Sequence, residues 1–169
     1  MATTTHLPLE VYLRSGYQPD AEYIDGELRE RPVGEDDHSA WQDAICAWFR
    51  AHKDEWNIRV RPELRVQAKA ENYLVLDVAI LDAANPKEKI ASLPPIAVFE
   101  VWRPENKVRD VMRKLALYEQ MGIPQIWLID PSDPVWQRFE NGKLADGETF
   151  LLPERGIQFA MSEIGKLVD

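Results

Sequence analysis

Hydrophobic and polar positions along this chain follow three patterns, and each predicts an element. Strict alternation runs from Ile58 to Gln67. Ile58, Val60, Leu64 and Val66 are assigned to one side and Arg59, Arg61, Glu63 and Arg65 to the other, as in a half-buried strand. Pro62 lacks an amide donor and predicts an edge position or a bulge there. Helical spacing starts at Ser39, where Trp41, Ala44, Ile45, Trp48 and Phe49 recur on one face. That predicts an amphipathic helix to about Trp56, with Ser39 and Gln42 at capping-box spacing. Cys46 falls off the apolar face, and the Trp41, Trp48 and Trp56 set reads as core. A second helical stripe, Val108, Val111, Met112 and Leu115, predicts a helix from Lys107 to about Met121, capped by Asn106 or Glu105 and closed by Gly122. Lys107, Lys114 and Tyr118 lie along one border of that stripe. The third pattern is the continuous apolar run. LVLDVAIL, PIAVFEVW and IWLID are rich in Val, Ile, Leu and Phe and predict buried strands.

Turn residues join these pieces. Asp25-Gly26 and Asn141-Gly142 are two-residue hairpin signals. Leu7 to Tyr17 reads as a short helix or turn ending at Gly16. Ala83 to Pro95 is a loop, and Thr149 to Phe159 gives one or two short strands before a last short helix from Ser162. The strand, helix, strand succession from PIAVFEVW to IWLID implies a parallel pair joined by a crossover helix. The expected architecture is therefore α/β (α+β), a mixed central sheet flanked by helices with N-terminal and C-terminal hairpins. At 169 residues, residues 1–169 are expected to form one domain.

Composition narrows the class. The hydrophobic fraction of 45% and charged fraction of 29% suit a soluble globular protein. No apolar run approaches the ~20 residues that span a bilayer, and MATTTHLPLE has no signal-peptide pattern. A single cysteine fits a reducing cytoplasm. The net charge of -9 opposes loose, charge-driven binding to nucleic acid, so a nucleic-acid partner requires a local basic surface. Arg103 to Lys114 offers one: five basic residues against two acids, a local +3. Arg59, Arg61 and Arg65 could add to it, although Glu63 among them favours a plain solvated face.

Two of the apolar runs carry an acid at mid-length, Asp77 and Glu100. An ionised carboxylate in a buried strand costs several kcal/mol unless it is paired or bound to a cation. Two such acids on neighbouring strands can converge on one hydrated Mg²⁺ (or Mn²⁺), a metal that takes a few hard oxygens and keeps its waters. A metal there polarises a phosphodiester and activates water. Lys114 is the candidate to orient that water, with Tyr118 one turn further along. His38, among Glu35, Asp36 and Asp37, is a candidate base or metal ligand, against the alternative of an exposed loop residue. Glu27 is a candidate third acid, against that of a surface charge. The blander alternative for the trio is acids at strand ends facing water and a lysine on a helix flank.

The succession YIDGEL, a polar stretch ending in His, LVLDVAI, VFEVWRPEN and RKLALYEQMGIPQIWLIDP resembles the Uma-type family of restriction-endonuclease-like proteins, from about Leu9 to Ile164. The resemblance implies the PD-(D/E)-x-K nuclease fold and a bacterial, metal-dependent endonuclease acting on DNA, or on RNA with the same fold. It carries the family's two acids onto Asp77 and Glu100, its helix lysine and tyrosine onto Lys114 and Tyr118, its DGEL acid onto Glu27 and its loop histidine onto His38. The backbone carbonyl of Val101 is the expected third metal ligand. Leu76 stands in place of the family's proline, Trp102 where the wider superfamily keeps its lysine, and Arg103 where a serine is usual. The alternative is a catalytically weak or inactive binding or assembly module, homodimeric.

Overall fold

The computed structural model describes residues 4–16, 20–32 and 34–169. Tyr17, the expected end of the first turn, lies outside the described residues. In chain order the elements are β1 (Thr4–His6), α1 (Leu9–Arg14), β2 (Ala21–Ile24), β3 (Glu27–Glu30), α2 (Asp36–Ala51), α3 (Lys53–Trp56), β4 (Ile58–Ala68) and β5 (Asn72–Asp82). They continue with β6 (Ala97–Val101), α4 (Val108–Met121), β7 (Gln125–Asp130), β8 (Asp133–Glu140), β9 (Lys143–Asp146), β10 (Thr149–Leu152), β11 (Ile157–Ala160) and α5 (Ser162–Gly165). Nine strands form one sheet in the order β1-β3-β2-β5-β6-β7-β8-β9, with β4 paired to β5; β10 and β11 make a separate ribbon. Among the described strands only β6 and β7 pair in parallel, joined by α4. Both hairpin signals hold: Asp25 and Gly26 have φ of 53° and 80°, Asn141 and Gly142 of 52° and 75°. Two successive left-handed residues give the turn whose twist matches the strands.

Each face of the sheet has its own core. Ala44, Ile45 and Phe49 of α2 pack on Val78, Ile80, Ala97, Phe99 and Trp127. Leu115, Leu117 and Tyr118 of α4 pack on Ala79, Val98 and Ile126. Helices on both faces are why β5 and β6 read as unbroken apolar runs rather than alternating ones. Trp56 is buried, and Trp41 and Trp48 pack against the same cluster, so the tryptophans are core.

Several local expectations are corrected. Helix α2 starts at Asp36, not Ser39, and it breaks at His52 before α3. Asp36 and Asp37 fall in its first turn, where acids favour the helix N-terminus. Asn106 does not cap α4: its Oδ1 accepts the Arg103 amide at 2.8 Å, and Lys107 holds the cap position without a side-chain bond. Cys46 is buried, not off the packed face, and belongs to the same core cluster as Met161 and Ile164 from the C-terminal segment. Burial pushes its thiol up to about 11.

The strand alternation of β4 does not keep one side throughout. Ile58 and Val60 join the α2-side core, whereas Leu64 and Val66 join the α4-side core. The switch occurs at Glu63, whose φ is 53°, and the ladder with β5 skips the Glu63–Asp77 pair. Pro62 therefore marks an irregularity inside the strand, as its missing donor predicts. On its other edge β5 pairs with β6 through Val78–Ile80 and with β2 at Tyr73. The sheet forks between them, and Asp77 stands at the fork.

Candidate active site

The fork opens a cleft of about 120 Å³ whose walls include Glu22, Arg31, Asp77, Glu100, Trp102, Arg103, Lys107 and Lys114. Four elements supply its chemistry, and in each the sequence dictates which side chain arrives. Continuing the β5–β6 register one step past Val78↔Phe99 brings Asp77 opposite Glu100. Helix α4 presents Val111, Lys114, Leu115 and Tyr118 along one stripe, so its lysine and tyrosine travel with the core face. Helix α2 presents His38, Gln42, Ile45 and Phe49 in the same way. Because that helix begins before His38, the imidazole sits on the first turn facing the sheet and is only 2% exposed. This corrects its placement in an open polar loop.

Asp77 and Glu100 are both buried. Asp77 Oδ2 accepts the Val101 amide at 2.9 Å and lies 3.3 Å from His38 Nε2. Its Oδ1 receives the Arg31 guanidinium. Glu100 accepts the Tyr118 hydroxyl, and both of its oxygens lie 3.4 Å from Lys114 Nζ. The same ammonium donates to Val75 O at 2.8 Å and meets Glu22 Oε1 at 2.5 Å. Glu22 also accepts the Val75 amide at 3.0 Å. Lys114 is thus fixed at three points with its side chain 12% exposed.

The two acids are driven apart in acidity. Burial opposes ionisation of Asp77, but the His38 bond and the Arg31 and Lys114 charges outweigh it and hold the carboxyl well below its usual range. Burial, then the Asp77 charge, push Glu100 up to about 8 against the pull of Lys114 and Tyr118. Glu100 therefore holds its proton to a higher pH than Asp77 does. The Glu100 and Glu22 charges outweigh burial at Lys114 and raise it, so it stays an ammonium ion. Burial raises the Tyr118 phenol further, which keeps it a donor.

The sequence missed two cleft residues, Glu22 and Arg31, and the role of Gln42 behind Asp77. Glu22, rather than Glu27, is the third acid brought to the lysine. Glu27 lies one hairpin turn away, 3.1 Å from His6 Nε2, and does not line the cleft. Within AEYIDGEL both acids are equally visible; only the β2–β5 neighbourhood separates them. Nothing in the sequence singles out Arg31, and Gln42 stands out only as the capping-box partner of Ser39. Gln42 Nε2 bonds Asp77 O at 2.8 Å and Glu63 Oε1 at 3.1 Å. Arg103, in the place of the expected serine, is buried and donates to Pro32 O at 3.0 Å across the cleft mouth. The arginines of β4 are otherwise engaged: Arg59 holds Ala83 O and Asn85 O, and Arg65 pairs with Asp20 over the Tyr12 ring. They do not form a joint phosphate surface.

Among the described residues no three His, Cys, Asp or Glu side chains stand together at metal-ligand spacing. Two buried carboxylates with hard oxygens, in a cavity with room for several waters, fit Mg²⁺, which commonly takes one or two carboxylates and keeps its hydration. One buried imidazole atom beside them, His38 Nδ1, has no partner.

A mixed sheet that forks around two buried acids, with a lysine delivered by the crossover helix, defines a restriction-endonuclease-like fold. The chain belongs to the Uma2 family, described as "Putative restriction endonuclease", which matches residues 7–158. Its structure is similar to the crystal structure of a "putative nuclease belonging to DUF820" from Anabaena variabilis, with TM-score 0.82, 19% identity, and coverage of 96% of this chain and 99% of that one. A weaker likeness, TM-score 0.42 and 16% identity over 77% of this chain and 10% of the other, is to a DrdV–DNA complex. No curated protein matches the chain. Family membership supports a nuclease-like function, and none of the described helices is long and apolar enough to cross a membrane.

Proposed function

We propose that this protein is a Mg²⁺-dependent (or Mn²⁺-dependent) nuclease that hydrolyses phosphodiester bonds, with DNA as its first substrate. The observation that carries this reading is the meeting of Asp77, Glu100 and Lys114 in one cleft at the fork of the sheet. Asp77 and Glu100, with the Val101 carbonyl, would hold the ion. When bound, the ion would supply Lewis-acid polarisation of the phosphodiester and a more acidic attacking water. Lys114, anchored by Glu22 and Val75 O, keeps an ammonium beside Glu100, positioned to orient that water or offset charge on the departing oxygen. Tyr118 aligns the Glu100 carboxyl through its hydroxyl bond. His38 steadies Asp77 from the opposite side, and Glu27 enters this reading only through the hairpin.

Calorimetric titration with Mg²⁺ and Mn²⁺ tests the proposal, with Asp77→Ala as the control. Heat from the unsubstituted protein and none from the variant is expected; no heat from either metal would sink the enzyme reading. Nicking of supercoiled plasmid, set against cleavage of structured RNA, assigns the substrate.

A second reading, a catalytically weak binding or assembly module that acts as a homodimer, draws on the -9 charge and the Arg103 bridge across the cleft mouth. Metal binding without cleavage of either substrate, together with a dimer in sedimentation, would favour it.

A further inference from the structure

We propose that Arg31 is the resident counter-ion of the cleft and that Glu63 is its alternative seat. On this view a dication reaches Asp77 only as the guanidinium leaves Asp77 and rests on Glu63 alone. The inference rests on the metal-dependent reading above.

Arg31 spans the two acids. One terminal nitrogen sits on Asp77 Oδ1 and the other on Glu63 Oε2 at 2.5 Å, with the side chain 9% exposed. Asp77 Oδ2 is already covered by the Val101 amide and His38, so Oδ1 is the oxygen an incoming cation must take. A guanidinium and a dication a few ångströms apart among buried side chains repel strongly. One must therefore yield, and the guanidinium already has a second partner.

Glu63 is built for that task. It holds a left-handed backbone, φ 53°, in the middle of a strand, opposite the skipped Asp77 pair. The other non-glycine residues with such φ values, Asp25, Asn57, Ala70, Glu71 and Asn141, sit at turns or a helix end. A strained residue inside a ladder persists where its surroundings over-determine it, and such residues cluster at functional sites. Here Gln42 ties the Glu63 carboxylate to the Asp77 backbone. The Glu63 side chain is 47% exposed, so a guanidinium resting there regains water that it lacks beside Asp77.

The test is a double-mutant cycle read by Mn²⁺ calorimetry on the unsubstituted protein, Arg31→Gln, Glu63→Gly and the pair. Glycine is chosen at 63 because it accepts the positive φ without strain, and a melting curve establishes that each variant is folded. Arg31→Gln is expected to tighten Mn²⁺ by about fivefold or more, and Glu63→Gly to weaken it by about fivefold. In the Arg31→Gln background the Glu63 change is expected to do nothing. An equal Glu63 effect in both backgrounds overturns the proposal, because it would then be a long-range charge effect. Should Arg31→Gln fail to fold, the ¹⁵N signal of the Arg31 guanidinium in the unsubstituted protein reads the same event. It is expected to shift on Mg²⁺ saturation, and a stationary signal with metal bound overturns the inference. Absence of Mn²⁺ binding in all four proteins overturns the metal reading and this inference together; binding without coupling overturns this inference alone.

Discussion

At the scale of single residues, the cleft is a balance of buried charges whose members are not interchangeable. Lys114 compensates Glu22 and Glu100 at once. Lys114→Met would leave the buried Glu22 carboxylate without its cation, and Glu100 too once it ionises, so a loss of about 3–5 kcal/mol is expected. A urea melt would reveal it, and little change would mean that the lysine is far more hydrated than its contacts imply. Glu100 gives a pH signature. Its folded value, about 8, lies above the ordinary 4.5. A raised carboxyl stabilises the fold at low pH, and this contribution fades as pH climbs from 4.5 to 8. Asp77 has the opposite sign: its lowered value stabilises above the ordinary carboxylate range and is lost on acidification. Because a ligand carboxylate must shed its proton, Mg²⁺ affinity is expected to rise up to tenfold per pH unit towards pH 8 and then level off. Calorimetry at several pH values checks this, and a flat profile would show that Glu100 is not a ligand.

At the scale of elements, two glycines at element junctions act by different means. Gly122 closes α4 with φ 91°. Gly122→Ala should cost about 1–2 kcal/mol from the left-handed backbone alone. For a protein of this size that lowers Tm by roughly 2–4 °C per kcal/mol. Gly147 is different in kind. A methyl there would come within 2.8 Å of the buried Trp127 ring, so Gly147→Ala should cost about 1–3 kcal/mol through overpacking. Scanning calorimetry on the two variants compares the mechanisms, and an unchanged Tm in either would refute the corresponding account. The hairpins, both helix stripes and the crossover were legible in the sequence because each is a local pattern. The start of α2 was misread by three residues because a cap needs only one acceptor, and Ser39 supplied a plausible one. That small shift hid the burial of His38.

At the scale of the whole molecule, a net charge of -9 coexists with Arg29, Arg103 and Lys107 along the cleft walls. Nucleic acid should be held by these few cations and repelled elsewhere. The salt dependence of binding is therefore expected to correspond to about two or three phosphates, a log–log slope near -2 to -3. Fluorescence anisotropy across a salt series measures it. A slope several times steeper would point to a broad basic face that this surface does not offer.

The amino-acid order alone determined most of the strands and helices, that two acids lie in apolar runs, and that a lysine follows on the crossover helix. Those features are periodic or local, and burial of an acid is costly enough to be visible in one dimension. Only the tertiary structure decided that Glu22 rather than Glu27 meets the lysine, that His38 faces inward, and that Arg31 and Glu63 flank Asp77. The first depends on a fork between β2 and β6, the second on where α2 begins, and the third on a reversal of side-chain direction at Glu63. A change of strand partner leaves no period in the sequence, because it is set by which backbones find each other across the sheet.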